Sequence, residues 1–174
     1  MGDIRLVKGC AADGARAYRR LEEAFPPSER REEGAFCRLL AAEPCFSLFF
    51  AFDGEREIGL ISLWEMDGFA FVEHLVVYPE HRGGGYGGKI VRAVFRFHPA
   101  LVLEIEPPDE GDRLRRWNFY RRLGFCMNDV PYFQPPYRAG GESLPMRLLS
   151  YPAPLQDPQK TVAVLREKVY AAAP

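Results

Sequence analysis

The sequence predicts an α+β chain built on a mixed, mostly antiparallel sheet with helices on both faces. Three observations carry this. Apolar runs rich in strand formers flank Asp53-Gly54 and then Asp67-Gly68, dipeptides that supply positive φ in tight turns, so FSLFFAF, EREIGLISLW and FAFVEHLVVY form three successive antiparallel strands. Behind them Ile90, Val91, Val94, Phe95 and Phe97 make a stripe at helical spacing, and LVLEIE is again a strand. A strand, a helical crossover and a strand let those last two strands pair in parallel.

The other elements follow in order. Residues 4–7 read as a short strand. A helix over residues 13–25 puts Tyr18, Leu21 and Phe25 on one face and stops at Pro26-Pro27. A second helix, from near Ser28, carries Phe36, Leu39 and Leu40 toward the core. A helix over residues 109–123 is closed by Gly124, with Phe125 packing back. VPYFQPPYR reads as a loop and LPMRLLSY as the final strand. Asp157-Pro158 caps a terminal helix over about 157–171. No repeat, low-complexity tract or linker divides the 174 residues, so residues 1–174 are expected to be a single domain with that helix appended.

Composition narrows the function classes. With 23 basic and 24 acidic residues and a net charge of −1, no global field recruits nucleic acid or an anionic membrane, so any anion site is local. The four cysteines form no C-x-x-C pair and the first ten residues lack the apolar stretch of a signal peptide, which fits a reducing cytoplasm. The longest apolar run, residues 45–52, is too short to span a bilayer. Gly2 is not a myristoylation site on this reading, because Leu6 stands where Ser or Thr is wanted. His74, His81 and His98 have neither H-E-x-x-H spacing nor cysteine partners, so no metal is expected.

The most specific stretch is EHRGGGYGGKIV, which puts five glycines into positions 83–88. Such bare backbone costs stability in a regular element, so it is there to let peptide N–H groups approach something. Gly83, Gly85 and Gly88 satisfy G-x-G-x-x-G, with Glu104 about twenty residues on. However, four residues, from Pro79 to Arg82, separate strand from glycine, and the antiparallel strands upstream oppose a dinucleotide fold. Gly83 to Lys89 fits the front of a Walker A loop, but Ile90 replaces the hydroxyl that ligates magnesium. The whole stretch, L-V-V-x-P-x-x-R-G-G-G-x-G entering a helix, suits a pyrophosphate held by helix N-terminal amides and Arg82.

In that form the sequence resembles the GNAT superfamily of acyl-CoA-dependent N-acetyltransferases. The family's loop [Q/R]-x-x-G-x-[G/A] is matched by Arg82, Gly85 and Gly87, and its second signature by WNFYRRLGF, Trp117 to Phe125. One departure is Arg113, where the family often carries an asparagine. The resemblance spans roughly residues 4–149. It implies a GNAT-like fold with the central parallel strands splayed, acetyl-CoA as co-substrate, and an amine acceptor on a small molecule or peptide, and it is compatible with a homodimer. The cofactor is expected on Arg82 and on Gly83, Gly84, Gly85, Tyr86, Gly87 and Gly88. Its pantetheine is expected to pair with the backbone of Leu75, Val76 and Val77 like an added strand, one of whose N–H groups faces the oxyanion.

Amine acylation also needs a base and an acid, because an alkylammonium with a pKa near 10 is no nucleophile at neutral pH. Glu104 and Glu106 fall on one face of LVLEIE, and Glu104 matches the "LEV" glutamate of the family's ribosomal-protein alanine acetyltransferases. Glu73, beside His74 on the preceding strand, is the second candidate. Tyr120, one turn before Gly124, is the candidate acid toward the departing thiolate. The arginines at 115, 116, 121 and 122 read as a solvated face or a contact to cofactor phosphates. FPPSERREEG and VPYFQPPYR would shape the acceptor side. Two alternatives remain open: a non-catalytic CoA-binding regulatory module and an NAD(P)-binding oxidoreductase.

Overall fold

The structure, a computed structural model, describes residues 3–171, so Gly2 lies outside the described residues. The strands are β1 (Arg5–Lys8), β2 (Phe46–Asp53), β3 (Arg56–Met66), β4 (Phe69–Val77), β5 (Leu101–Ile105), β6 (Cys126–Met127), β7 (Tyr132–Gln134) and β8 (Leu144–Tyr151). The helices are α1 (Gly14–Ala24), α2 (Glu33–Ala42), α3 (Tyr86–Val94), α4 (Gly111–Arg122) and α5 (Pro158–Leu165), the last running into a π-helical turn, Arg166–Tyr170. The sheet order is β1-β2-β3-β4-β5-β8-β6, with β7 also on β8. All pairs are antiparallel except β4 and β5.

Alternation along the strands feeds two cores. Tyr18 and Leu21 of α1, Phe36 of α2 and Leu165 of α5 bury against Leu60, Phe71 and Val102 on one face. On the other, Ile90 and Val94 of α3 and Tyr120 of α4 bury against Ile61, Val72 and Leu103. Helices therefore cover both faces, as expected of the fold.

Two features of β4 position everything that follows. Its ladder with β5 lasts only from Ala70 opposite Leu101 to Val72 opposite Leu103. On its other side Ser62 pairs with His74 but Leu63 with Val72, so Glu73 is the extra residue of a β-bulge. A bulge bends its strand and breaks the two-residue alternation. Glu73 and His74 consequently both face the α1/α2 side, where Glu73 meets Trp64 and His74 lies edge-on to Phe25 at 4.8 Å.

Several local expectations are corrected. α2 begins at Glu33, not near Ser28: a 3₁₀ turn (Pro27–Glu29) is followed by extended backbone, because Arg30 and Arg31 are drawn into the interior and the Tyr18 hydroxyl donates to Arg31 O at 2.8 Å. α3 stops at Val94, which leaves Phe97 48% exposed against Phe49 rather than in the helical stripe. β5 ends at Ile105, so Glu106 leaves the strand face and pairs with Arg116 at 3.3 Å. VPYFQPPYR is not all loop, since Tyr132, Phe133 and Gln134 pair with β8. The terminal helix starts where expected, the Asp157 carboxylate accepting from Lys160 N at 2.9 Å.

Gly59 of β3 lets β4 approach. A Cβ there would lie 2.2 Å from Val76 O, so the backbone itself would have to shift. Gly59→Ala is expected to lower stability by about 1–3 kcal/mol, as overpacking does, read as a lower urea midpoint with an unchanged slope.

Candidate functional site

The turn between β4 and α3 combines two uses of glycine. Gly83 and Gly85 have φ of 85° and 71°, with open space where a Cβ would project. Gly85 is the N-cap of α3, whose first N–H groups have no intrahelical acceptor and are left for another partner. Gly87 serves packing instead: a Cβ on it would come 3.3 Å from Phe119, so it seats α3 against α4, while a Cβ on Gly88 would make ordinary contact with Leu123 at 3.5 Å. Gly84 is flanked by the Tyr86 ring. The Tyr86 phenol donates to Asp53 at 2.8 Å, which pegs the turn to the β2–β3 hairpin and leaves only its amide for a ligand. Arg82 donates to Val77 O at 3.3 Å.

Where β4 and β5 part, a cleft of ≈240 Å³ passes through the sheet. Leu75, Val77, Leu103 and Tyr120 line it on the α3/α4 side, and Phe25 and Glu73 on the other. Val76 turns its side chain into the α1/α2 core and can offer the cleft only backbone. Tyr120 is held by the end of α4: Phe125 N donates to Tyr120 O at 3.1 Å and Gly124 N to Arg121 O at 3.0 Å, the paired bonds of a Schellman ending. Burial pushes its phenol up to about 12, with Arg116 pulling slightly the other way, so it is a proton carrier at neutral pH.

The two candidate bases differ in kind. The Glu73 side chain is wholly buried, accepting from Arg31 Nη2 at 2.8 Å and from Trp64 Nε1 at 3.1 Å. Burial alone would raise it, but the charge of Arg31, with His74 and these hydrogen bonds, holds it below the usual carboxylate range. Such a group is a weak base. Burial pushes Glu104 up to about 7; the Tyr132 and Tyr170 hydroxyls pull it back, and Glu73 and Glu29 add repulsion. The Tyr170 hydroxyl donates to Glu104 Oε1, while Oε2 and the Tyr132 hydroxyl are buried without closing a hydrogen bond. Glu104 and Glu73 lie on the face opposite Tyr120, and only the gap joins them.

His74 is a packing histidine on this same face, its Nε2 3.0 Å from Glu29 O and its ring stacked on Tyr137; burial holds it below its usual range. Among the described residues no group of three or more His, Cys, Asp or Glu is disposed to hold a metal ion, and no helix is long and apolar enough to cross a membrane. Of the four arginines around α4, Arg116 reaches the cleft, whereas Arg115 pairs with Asp112. Arg31, Tyr132, Tyr137 and Tyr170 were not among the sequence candidates. Their only sequence signal is position in the two segments expected to shape the acceptor side and in the terminal helix.

The family model described as the Acetyltransferase (GNAT) family matches residues 15–125, from α1 through the end of α4. The chain belongs to the GNAT family of acetyltransferases. A solved GNAT-family acetyltransferase of Bacteroides thetaiotaomicron is 34% identical and superimposes with a TM-score of 0.90, covering 95% of this chain and 98% of that one. YjbC of Bacillus subtilis, which carries the name "Putative acetyltransferase YjbC", is 32% identical over 110 residues, 62% of this chain, and the match spans 55% of that relative's length. A GNAT acetyltransferase of Elizabethkingia anophelis, solved with acetyl-CoA bound, shares the fold at a TM-score of 0.59 and 19% identity, over 86% of this chain and 98% of that one.

The family frame leaves the Arg31–Glu73 pair as a structural device that can be tested. Arg31→Met strands a buried carboxylate, and the expected loss of stability at neutral pH is about 3–5 kcal/mol. Glu73 sits below its unfolded pKa in the native chain, so its stabilisation is complete above the ordinary carboxylate range and is lost as pH falls through the lower folded value. In the variant Glu73 is raised instead. The difference between the two proteins should therefore shrink on acidification, as urea midpoints measured from pH 7 down to pH 4 will show.

Proposed function

We propose that the chain transfers an acetyl group from acetyl-CoA to a primary amine by direct attack within a ternary complex. The observation that carries this is the cleft through the sheet, with a high-pKa phenol on one face and a carboxylate poised near neutrality on the other. Acetyl-CoA enters from the α3/α4 side. Its diphosphate lies on Arg82 and the amides of residues 83–88, and its pantetheine pairs with the backbone of Leu75, Val76 and Val77, freed because the β5 ladder ends at Val72. The acetyl-CoA-bound relative of the same fold supports this choice of co-substrate over a nicotinamide cofactor.

The acceptor arrives from the α1/α2 side. Its ammonium gives a proton to Glu104 through a water, the freed nitrogen attacks the thioester carbon, and the oxyanion is met by a β4 N–H. The C–S bond then breaks, the nitrogen gives its second proton to solvent, and Tyr120 donates a hydrogen bond to the departing sulfur, which takes its proton from water. A thiol has a pKa near 8.5, so complete transfer from a phenol at about 12 runs uphill. Tyr120 therefore acts first as a hydrogen-bond donor that lowers the charge on sulfur. The products are the N-acetyl amine and CoA. Glu104 at about 7 is a far better match to an amine than an ordinary carboxylate, whereas Glu73 is committed to Arg31. The carboxylates of Glu29 and Glu104 suit a cationic acceptor.

Acetyl-CoA at a hundred times its dissociation constant is expected to add roughly 2.7 kcal/mol of stability, and Gly85→Val to abolish that gain in a thermal-shift experiment. Stabilisation by NAD(H) instead would overturn the reading, and binding without CoA release from any amine in a broad panel would favour the regulatory module. Glu104→Gln and Tyr120→Phe should each lower kcat about 10²-fold or more with little change in cofactor affinity. In the native chain kcat should rise with pH through about 7, as Glu104 ionises.

A further inference from the structure

The C-terminal turn does more than extend the fold. It is a π-helical turn, closed by Ala171 N donating to Arg166 O at 3.0 Å, a local distortion that often marks functional positions. Val169 O accepts from Arg31 Nη2 at 2.8 Å, the same nitrogen that holds Glu73 of β4. The next residue, Tyr170, donates its hydroxyl to Glu104 of β5. Two consecutive residues thus tie the turn to both strands at the point where those strands part.

We propose that Tyr170 is a positioning residue for the reaction: through its hydroxyl the C-terminal turn staples the mouth of the splay and holds the Glu104 carboxylate in place. This rests on the reading of Glu104 as the base. With Oε1 occupied, the carboxylate has one free oxygen, and the buried Tyr170 ring packs 5.4 Å from Tyr137 beside it. The groups that face Glu104 are Tyr132 of β7, Tyr137 from the following loop, Tyr170, Glu73 of β4 and Glu29 from the α1–α2 connection. Arg31 lies behind Glu73, and Arg166 faces Tyr132. Among these, Tyr170 closes a hydrogen bond on the carboxylate, and a donor of that kind favours the ionised form.

Tyr170→Phe keeps the ring and removes the donor, so the fold is expected to survive. The test is a ¹³C NMR titration of the Glu104 carboxyl, assigned by its loss in Glu104→Gln, alongside pH profiles of CoA release from acetyl-CoA with a panel of primary amines. Tyr170→Phe should move the Glu104 titration, and with it the acidic limb of kcat, upward by about one pH unit, a tenfold change in the protonation equilibrium. Tyr132→Phe should move it upward as well, because the Tyr132 hydroxyl also lowers the Glu104 carboxyl. An unchanged Glu104 titration in Tyr170→Phe, with Glu104→Gln still inactive, would overturn the staple and leave the base in place. Full turnover by Glu104→Gln would overturn the base itself, and the role of Tyr170 with it.

Discussion

The parting of β4 from β5 after three paired residues is the constraint from which the rest of the molecule follows. Two central strands that separate leave peptide groups without sheet partners, and buried peptide groups need partners. The chain meets this by using the gap. On the α3/α4 side the free β4 edge faces a cleft that an extended ligand can fill as a strand would. On the α1/α2 side the same separation is held by the bulge at Glu73, the Arg31–Glu73 pair and the C-terminal turn. A continuous ladder would join the strands but would also separate Tyr120 from Glu104.

The two faces divide the chemistry by environment. Tyr120 sits among apolar rings at the end of α4, and burial makes it a donor. Glu73 and Glu104 share one buried neighbourhood, and like charges that close resist joint ionisation. Arg31 settles which one stays charged: Glu73 stays ionised with its charge compensated by the guanidinium, and Glu104, left with phenols, becomes the carboxyl that can exchange a proton near neutrality. An ion pair that adds little net stability can in this way set the proton affinity of its neighbour. A larger hollow of ≈400 Å³ lies between α2 and residues 136–140 and shares Tyr137 with this network.

The fold was legible because its signals are local. Asp53-Gly54 and Asp67-Gly68 fix two turns, the stripe from Ile90 to Val94 fixes a crossover helix, and Gly124 fixes the end of α4. The glycine turn was legible as bare backbone ahead of a helix, although only side-chain clearances show that Gly87 packs against Phe119. The acceptor side was not legible. A bulge leaves no mark in sequence, so Glu73 and His74, adjacent in the chain, could not be assigned to one face. Arg30 and Arg31 sit in a charged, proline-flanked stretch that reads as solvated, yet both are buried. Tyr170 lies 66 residues from the carboxylate it meets, on a helix that seemed merely appended. Long-range pairing of polar groups carries no periodicity, and that is where sequence reading stopped.

Backbone hydrogen exchange with and without acetyl-CoA tests the central role of the splay most directly. Amides of residues 73–77 and 83–88 should exchange readily in the free chain and gain protection together when the cofactor is added, because one ligand occupies both the strand edge and the glycine turn. Protection confined to the hollow beside residues 136–140, or a β4 edge equally protected with and without the cofactor, would contradict the account.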